Sequence, residues 1–336
     1  MKPVSLMGVA SYMPEKIVRN DFFAGAEEAG SGQAKHMFFS PTERRHVTRD
    51  ESAVDLIEKA ARKLASKLNL DPATAYDMIL TNVSVPDQAF TGCGAVVAQR
   101  LGAKPRWVVD MHNTGCISFM FMMEMFRIYE QTLDLKGALI CCVQNAGGRV
   151  FAQSEVRRKS QAAVPGDGCG VGYVVPGDAS PILSLAHRCF PDSAADMTIE
   201  ADDDRRYWEA GMSQLSVAFT EQRIVTIFRR GNKIVPELAN EALNQAGLKP
   251  TDIDLLITNQ PNPLFLRNWR EALQLPPEKH FDTYDIYGNL FGAALPVNLD
   301  AALAAGRLHS GAIVLLAGFS HAGDYAAAGV VRWGGV

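Results

Sequence analysis

The apolar positions of DLIEKAARKLASKLNL (55–70) recur at three- and four-residue spacing, and Pro72 interrupts them before the apolar run MILTN (78–82). That order predicts an amphipathic helix, a turn and a buried strand. VPELANEALNQAGLKPTDIDLLITN (235–259) repeats the plan, with Pro250 in the turn and the same closing Thr-Asn pair. In the first half, RWVVDM (106–111) is a β-branched run of strand type, and ISFMFMMEMFRIYEQTL (117–133) has the length and composition of a buried helix. The block from DMHNTGCISF to GALICCVQNAGG (110–148) finds its counterpart in DIYGNLFGAA to GAIVLLAGFSHAGD (285–324). Asn82 and Asn259 lie 177 residues apart, and Gly137 and Gly311 lie 174 apart, so the chain reads as an internal duplication. Strands such as ALICCV and AIVLLAGF belong in buried sheets, which makes each half a βαβ-rich layer structure. Two similar α/β halves packed about a pseudo-twofold axis would place a site where they meet.

The expected divisions are an N-terminal half over 1–175, an inserted connecting segment over 176–225 and a C-terminal half over 226–336. The middle segment is charged and irregular, with ADDDRRYWEAGMSQ (201–214) at its centre. It reads either as a surface excursion lining substrate or a dimer, or as a solvated connector.

The chain has 336 residues, 47% hydrophobic residues and a net charge of -4, which describes an ordinary soluble globular protein. No basic block is present to hold nucleic acid, and no apolar segment predicts a membrane span. The opening MKPVSLMGVASYMPEKIV reads as a first strand and turn rather than a signal peptide. Six cysteines (93, 116, 141, 142, 169 and 189) show neither a CxxC pair nor zinc spacing. They read as reduced thiols of a cytoplasmic protein, with no metal site.

Cys116 is set apart by its surroundings. Asn113, Thr114 and Gly115 are turn and N-cap residues between a strand and a buried helix, so Cys116 falls in the helix's first turn. Unpaired N–H groups and the positive end of the helix dipole favour a thiolate there, and the thiolate is the nucleophilic form. A buried structural cysteine is the competing reading.

Five motifs in register resemble the thiolase-fold β-ketoacyl synthase III family: NTGC (113–116), GDGCGVGYVV (166–175), TNQPN (258–262), YGNLFGAALPVNLDAALAAGRL (287–308) and GFSHAGDYAAAGVVRW (318–333). PTERRHV (41–47) adds a segment similar to the family's GIRERR. The resemblance implies a thiolase-like duplicated αβαβα sandwich. It also implies an acyltransferase in lipid or specialised-metabolite biosynthesis, with Cys116 carrying the acyl group to a malonyl-type or other acceptor. Coenzyme A thioester or acyl carrier protein phosphopantetheine would be substrate, with no separate cofactor, and the enzyme would be a homodimer. The oxyanion would be met by the N–H of Cys116 and one near His321.

The motifs also depart from the family. Asn259 stands in the place of the family's histidine, with Asn289 thirty residues on where the family's asparagine lies. An amide donates a hydrogen bond but takes no proton near neutral pH, so the base is missing. His321, with Asp324 three residues away, is a candidate replacement in a loop that is normally a run of glycines. Gln260, Asn262 and Arg267 are expected against substrate, although Leu264 replaces the family's arginine. Phe90 aligns with a position that caps the partner subunit's acyl pocket. Cys169 reads as packing, and His112 and His280 as structural. Two alternatives stay open: transfer to an oxygen or nitrogen acceptor with His321 as base, and a catalytically degenerate partner subunit of an active homologue.

Overall fold

The structure, a computed structural model, describes residues 2–23, 37–88, 90–112, 114–194, 196–201, 203, 205–206, 209–211, 214–218, 220–320 and 323–334. Two five-stranded sheets organise it. The first contains β1 (Val4–Tyr12), β4 (Met78–Val83), β5 (Trp107–Met111), β6 (Ala138–Gln144) and β7 (Gly168–Pro176), in the order β1-β7-β6-β4-β5. The second contains β8 (Ile182–Cys189), β11 (Leu255–Thr258), β12 (His280–Phe281), β13 (Ile313–Ser320) and β14 (Tyr325–Arg332), in the order β8-β14-β13-β11-β12. The orders match strand for strand, as do the senses of pairing. β4 is parallel to β5 and β6, and β11 is parallel to β12 and β13. The duplication read from the apolar pattern is thus a duplication of topology.

The match moves one boundary. The segment 176–225, expected as an insertion, begins with β8, the counterpart of β1 and an edge strand paired antiparallel with β14. Alternation along Ile182–Cys189 is interrupted by polar and charged residues, as an edge strand allows, and this hid it beside the irregular stretch that follows. That stretch includes a small hairpin of β9 (Thr198–Glu200) and β10 (Ser216–Ala218). A second small ribbon pairs β2 (Lys16–Arg19) with β3 (Glu43–His46), the strand formed by the ERRH segment.

Helices fill three layers. α1 (Ala53–Leu68) and α2 (Gly94–Leu101) cover the outer face of the first sheet, and α4 (Glu221–Gln245) and α5 (Pro263–Ala272) cover that of the second. α3 (Ser118–Leu133) and α6 (Ala294–Ala304) lie between the sheets, in a core that draws Met120, Met123, Phe126, Leu295 and Val297 together with strands of both halves. Ser52 caps α1 with a reciprocal Ser-Asp pair, its hydroxyl accepting from the Asp55 N–H at 3.1 Å while Asp55 accepts from the Ser52 N–H at 2.9 Å. The central helices carry no such side-chain cap. Burial between two sheets holds them, and their first turns are left for other partners.

Candidate active site

α3 and α6 begin alike. Each is preceded by a 3-10 turn, Gly115–Ile117 before α3 and Phe291–Ala293 before α6, and each turn opens on a left-handed residue, Gly115 at φ 36° and Phe291 at φ 46°. Cys116 and Gly292 are therefore equivalent by the duplication, and the two turns pack against each other. A Cβ on Gly292 would lie 2.7 Å from the carbonyl oxygen of Gly115 and 2.7 Å from the Ser118 hydroxyl. Only glycine lets the second turn come this close to the first. The duplicated fold thus carries a cysteine at one position and clears its equivalent.

Cys116 is half-buried, and Thr114 before it is buried with φ 70°, a conformation that strains a β-branched residue. The neighbouring Ile117 N–H closes the turn on the Thr114 carbonyl at 3.0 Å. The backbone N–H of Cys116 donates to the Ser320 hydroxyl at 3.2 Å. Ser320 is the last residue of β13 and wholly buried, so the two halves meet in a hydrogen bond at the Cys116 amide. Four other cysteines are inert by burial. Burial pushes the Cys93 and Cys142 thiols up to about 12, and raises Cys141 and Cys169 well above the ordinary thiol range. Cys189 is exposed at the end of β8.

Asn289 lies beside the Gly166-Asp167-Gly168 segment, two residues before the Phe291–Ala293 turn. Its carbonyl oxygen accepts from the Gly166 N–H at 3.2 Å, and its side-chain oxygen accepts from the Phe291 N–H at 3.0 Å. Among the described contacts its amide nitrogen carries none. Asp167 accepts from the N–H groups of Val47, Gly147 and Gly148 at 2.7–2.9 Å, which makes the glycine-rich segment a brace rather than a phosphate cradle.

Several expected site residues are engaged elsewhere. Asn259 is buried, donating through Nδ2 to the Phe319 carbonyl at 3.0 Å and accepting from the Phe319 N–H at 3.3 Å. Its side chain extends the β11–β13 ladder as a further peptide group would, and both of its polar atoms are engaged by the Phe319 backbone. Gln260 is also buried and bonds to Thr283, Asn298 and the Gly288 carbonyl. Asn262 caps α5, accepting from the Phe265 N–H at 3.0 Å and donating to the Met37 carbonyl. Both are expected against substrate, and here their amides bond within the fold, as buried polar groups generally do. Arg267 stands exposed on α5 in the outer layer, paired with Glu271 at 2.8 Å, in a surface cleft with Arg270, His280 and Tyr284. Phe90 is 100% exposed on the loop between β4 and α2. His321 lies outside the described residues, while the carbonyl of Asp324 accepts from the Phe190 N–H at 2.6 Å. His280 is structural, its Nε2 3.1 Å from the Thr258 hydroxyl and its imidazole drawn down to about 4 by burial and then Arg270.

Ser320 and Gly292 lie inside the motifs at 318–333 and 287–308, but motif spacing gives neither a role. The signal for Ser320 is the break in the expected run of glycines. That for Gly292 is its place one turn before a buried helix in the second copy.

A profile of the C-terminal part of 3-oxoacyl-[acyl-carrier-protein (ACP)] synthase III matches residues 243–333. β-Ketoacyl-[acyl-carrier-protein] synthase III of Syntrophomonas wolfei is 26% identical, with 98% of each chain covered, and that of Staphylococcus saprophyticus is 25% identical over 98% of this chain and 99% of its own. Along nearly its whole length the chain is thus similar to β-ketoacyl-[acyl-carrier-protein] synthase III proteins, and its C-terminal part matches their profile. Its fold is the thiolase-like one of solved synthase III structures. The crystal structure of the Aquifex aeolicus synthase III superposes with a TM-score of 0.83 at 20% identity, covering 98% of this chain and 100% of that one. The priming β-ketosynthase of the R1128 polyketide pathway superposes with a TM-score of 0.84 at 19% identity, covering 99% and 96%. Among the described residues, no helix is long and apolar enough to cross a membrane, and no cluster of His, Cys, Asp and Glu is placed to hold a metal.

Proposed function

We propose that this protein is an acyl-thioester transferase of the β-ketoacyl synthase III type, with Cys116 as the acyl-bearing nucleophile. The observation that carries the reading is the hydrogen bond from the Cys116 N–H to Ser320 Oγ. It marks where an oxygen sits within reach of an oriented donor at the head of a buried helix, which is what a thioester carbonyl needs as it becomes an oxyanion. The Cys116 thiolate attacks the carbonyl carbon of an acyl thioester of coenzyme A or of acyl carrier protein. A new C–S bond forms, the old one breaks, and the donor thiol leaves with the proton that Cys116 gave up.

In the second step a malonyl thioester loses carbon dioxide, its enolate carbon attacks the acyl carbon, and Cys116 is released. Asn289 is the donor proposed for the enolate oxygen, because its amide oxygen is tied back to Phe291 and its nitrogen remains. One observation favours a second reading. Asn259, engaged by Phe319, supplies no base, so transfer to an alcohol or amine with His321 taking the proton is the alternative. Release of carbon dioxide from malonyl thioester separates the two.

The homodimer belongs to the same proposal. β5 is an edge strand with Trp107 and Val108 exposed, and the fully exposed Phe90 precedes it in the same half. An unpaired apolar edge is a template for pairing with a second chain.

Intact-protein mass spectrometry with a panel of acyl-CoA thioesters tests the function directly. A gain of one acyl mass, absent in Cys116→Ala, is expected. No gain from any CoA or carrier-protein donor, in folded protein, would leave the degenerate partner-subunit reading in its place.

A further inference from the structure

Among the described buried amide side chains, those of Asn82, Asn145, Asn259, Gln260, Asn262 and Asn298 are hydrogen-bonded. Gln144 is the exception. It is 0% exposed, and neither Nε2 nor Oε1 has a partner. A buried amide with both atoms unmade is costly, and natural proteins keep few of them.

Its direction follows from strand parity. Leu139, Cys141 and Val143 of β6 pack on the outer helices, whereas Ala138, Ile140 and Cys142 pack in the central layer. Gln144 shares the parity of the second set and so faces the central layer. Cys142 Sγ is 3.5 Å from the hydroxyl of Ser118, the first residue of α3. Gln144 lies two residues, about 7 Å, beyond it toward the carboxyl end of the strand. That is the level at which the Cys116 turn and the Phe291–Ala293 turn meet, and β6 contacts the latter. On its other flank Gln144 pairs with Gly168, where Met13 and Leu290 close over the glycine.

We propose that Gln144 reads a hydroxyl group on the acyl unit delivered to Cys116, so that the preferred donor is a hydroxyacyl thioester rather than a plain alkanoyl one. The inference rests on Cys116 being the acyl-bearing residue. The chemistry selects the hydroxyl because, unlike an oxo group or a carboxylate, it both donates, to Oε1, and accepts, from Nε2. An oxo group would satisfy only the nitrogen. Sites that pair with a substrate hydroxyl discriminate strongly against the analogue that lacks it, since the pairing atoms are then stranded.

The test compares 3-hydroxybutyryl-CoA with butyryl-CoA as donors, following single-turnover acylation by intact mass in the parent and in Gln144→Met. The parent is expected to acylate roughly tenfold or more faster with the hydroxyacyl donor. Gln144→Met should bring the ratio near one by slowing only that donor. A parent that favours butyryl-CoA, or a ratio unmoved by Gln144→Met, overturns the proposal. So does a ratio near one in the parent combined with a lower melting temperature for Gln144→Met, which would mark a buried water as the partner. Thermal shift of Cys116→Ala with the same two thioesters keeps the outcomes separable. A preference for the hydroxyacyl ligand without acylation of the parent would sustain Gln144 and reject Cys116 as nucleophile. Equal shifts would reject Gln144.

Discussion

His46 shows how a single side chain can depart from what its type suggests. It ends β3 with both ring nitrogens buried, set against the edges of Phe22 and Phe23. Burial, with the Arg44 and Lys16 charges nearby, draws its imidazole down to about 3. Its unfolded value is the ordinary 6.5, so between pH 6.5 and about 3 the unfolded chain binds a proton that the native state refuses. Stability is therefore lost as pH falls through that window. We expect His46 to withdraw about 2 kcal/mol between pH 7 and pH 5. Urea unfolding of the parent and of His46→Gln at the two pH values measures it: the variant should show a correspondingly shallower pH dependence, and equal slopes would refute the assignment. Arg44 next to it is held in the same buried ribbon by Asn20 and the Pro41 carbonyl, over the Phe23 ring. The basic segment that resembled a family signature thus serves as structure.

At the scale of elements, the two turns that open α3 and α6 are the decisive pair. Their equivalence explains why one copy bears a cysteine and the other a glycine with no room for a side chain. Gly292→Ala would press a methyl group against the Gly115 carbonyl, a backbone atom that cannot rotate away. Overpacking of this kind costs about 1–3 kcal/mol. The expected outcome is a stability loss of that order together with slower alkylation of Cys116 by iodoacetamide, because the displaced turn is the one that presents the thiol. Peptide mass spectrometry reads the second effect, with the exposed Cys189 as the internal reference. Unchanged labelling of Cys116 relative to Cys189 would show that the turns are not coupled.

For the whole molecule, the two sheets, their matched orders and the shared helical layer place the candidate site at the interface between the copies. The cysteine comes from one half and the serine that meets its amide from the other. The same architecture leaves β5 as an open edge. Light scattering of the parent is expected to give a dimer, and Trp107→Glu combined with Val108→Glu should give a monomer. A dimer that survives both substitutions would place the interface elsewhere.

By itself the sequence determined the duplication, the buried strands, the amphipathic outer helices and the position of Cys116 in a first helical turn. These follow from periodicity and from turn residues, which are local properties of the chain. It left β8 hidden, because an edge strand exposed along one side lacks an unbroken apolar run. It also placed Asn259 in the catalytic set and Gln260 and Asn262 against substrate, and the amides of all three bond to buried backbone and side-chain groups. Only the tertiary structure decided which polar side chains find partners inside the protein and which do not. Motif spacing carries no information on that question, because the partners Phe319, Asn298 and Met37 are far away in the chain. The same holds for the Cys116–Ser320 contact and for Gln144: one is made, and the other left open, by packing two halves whose residues are distant in sequence.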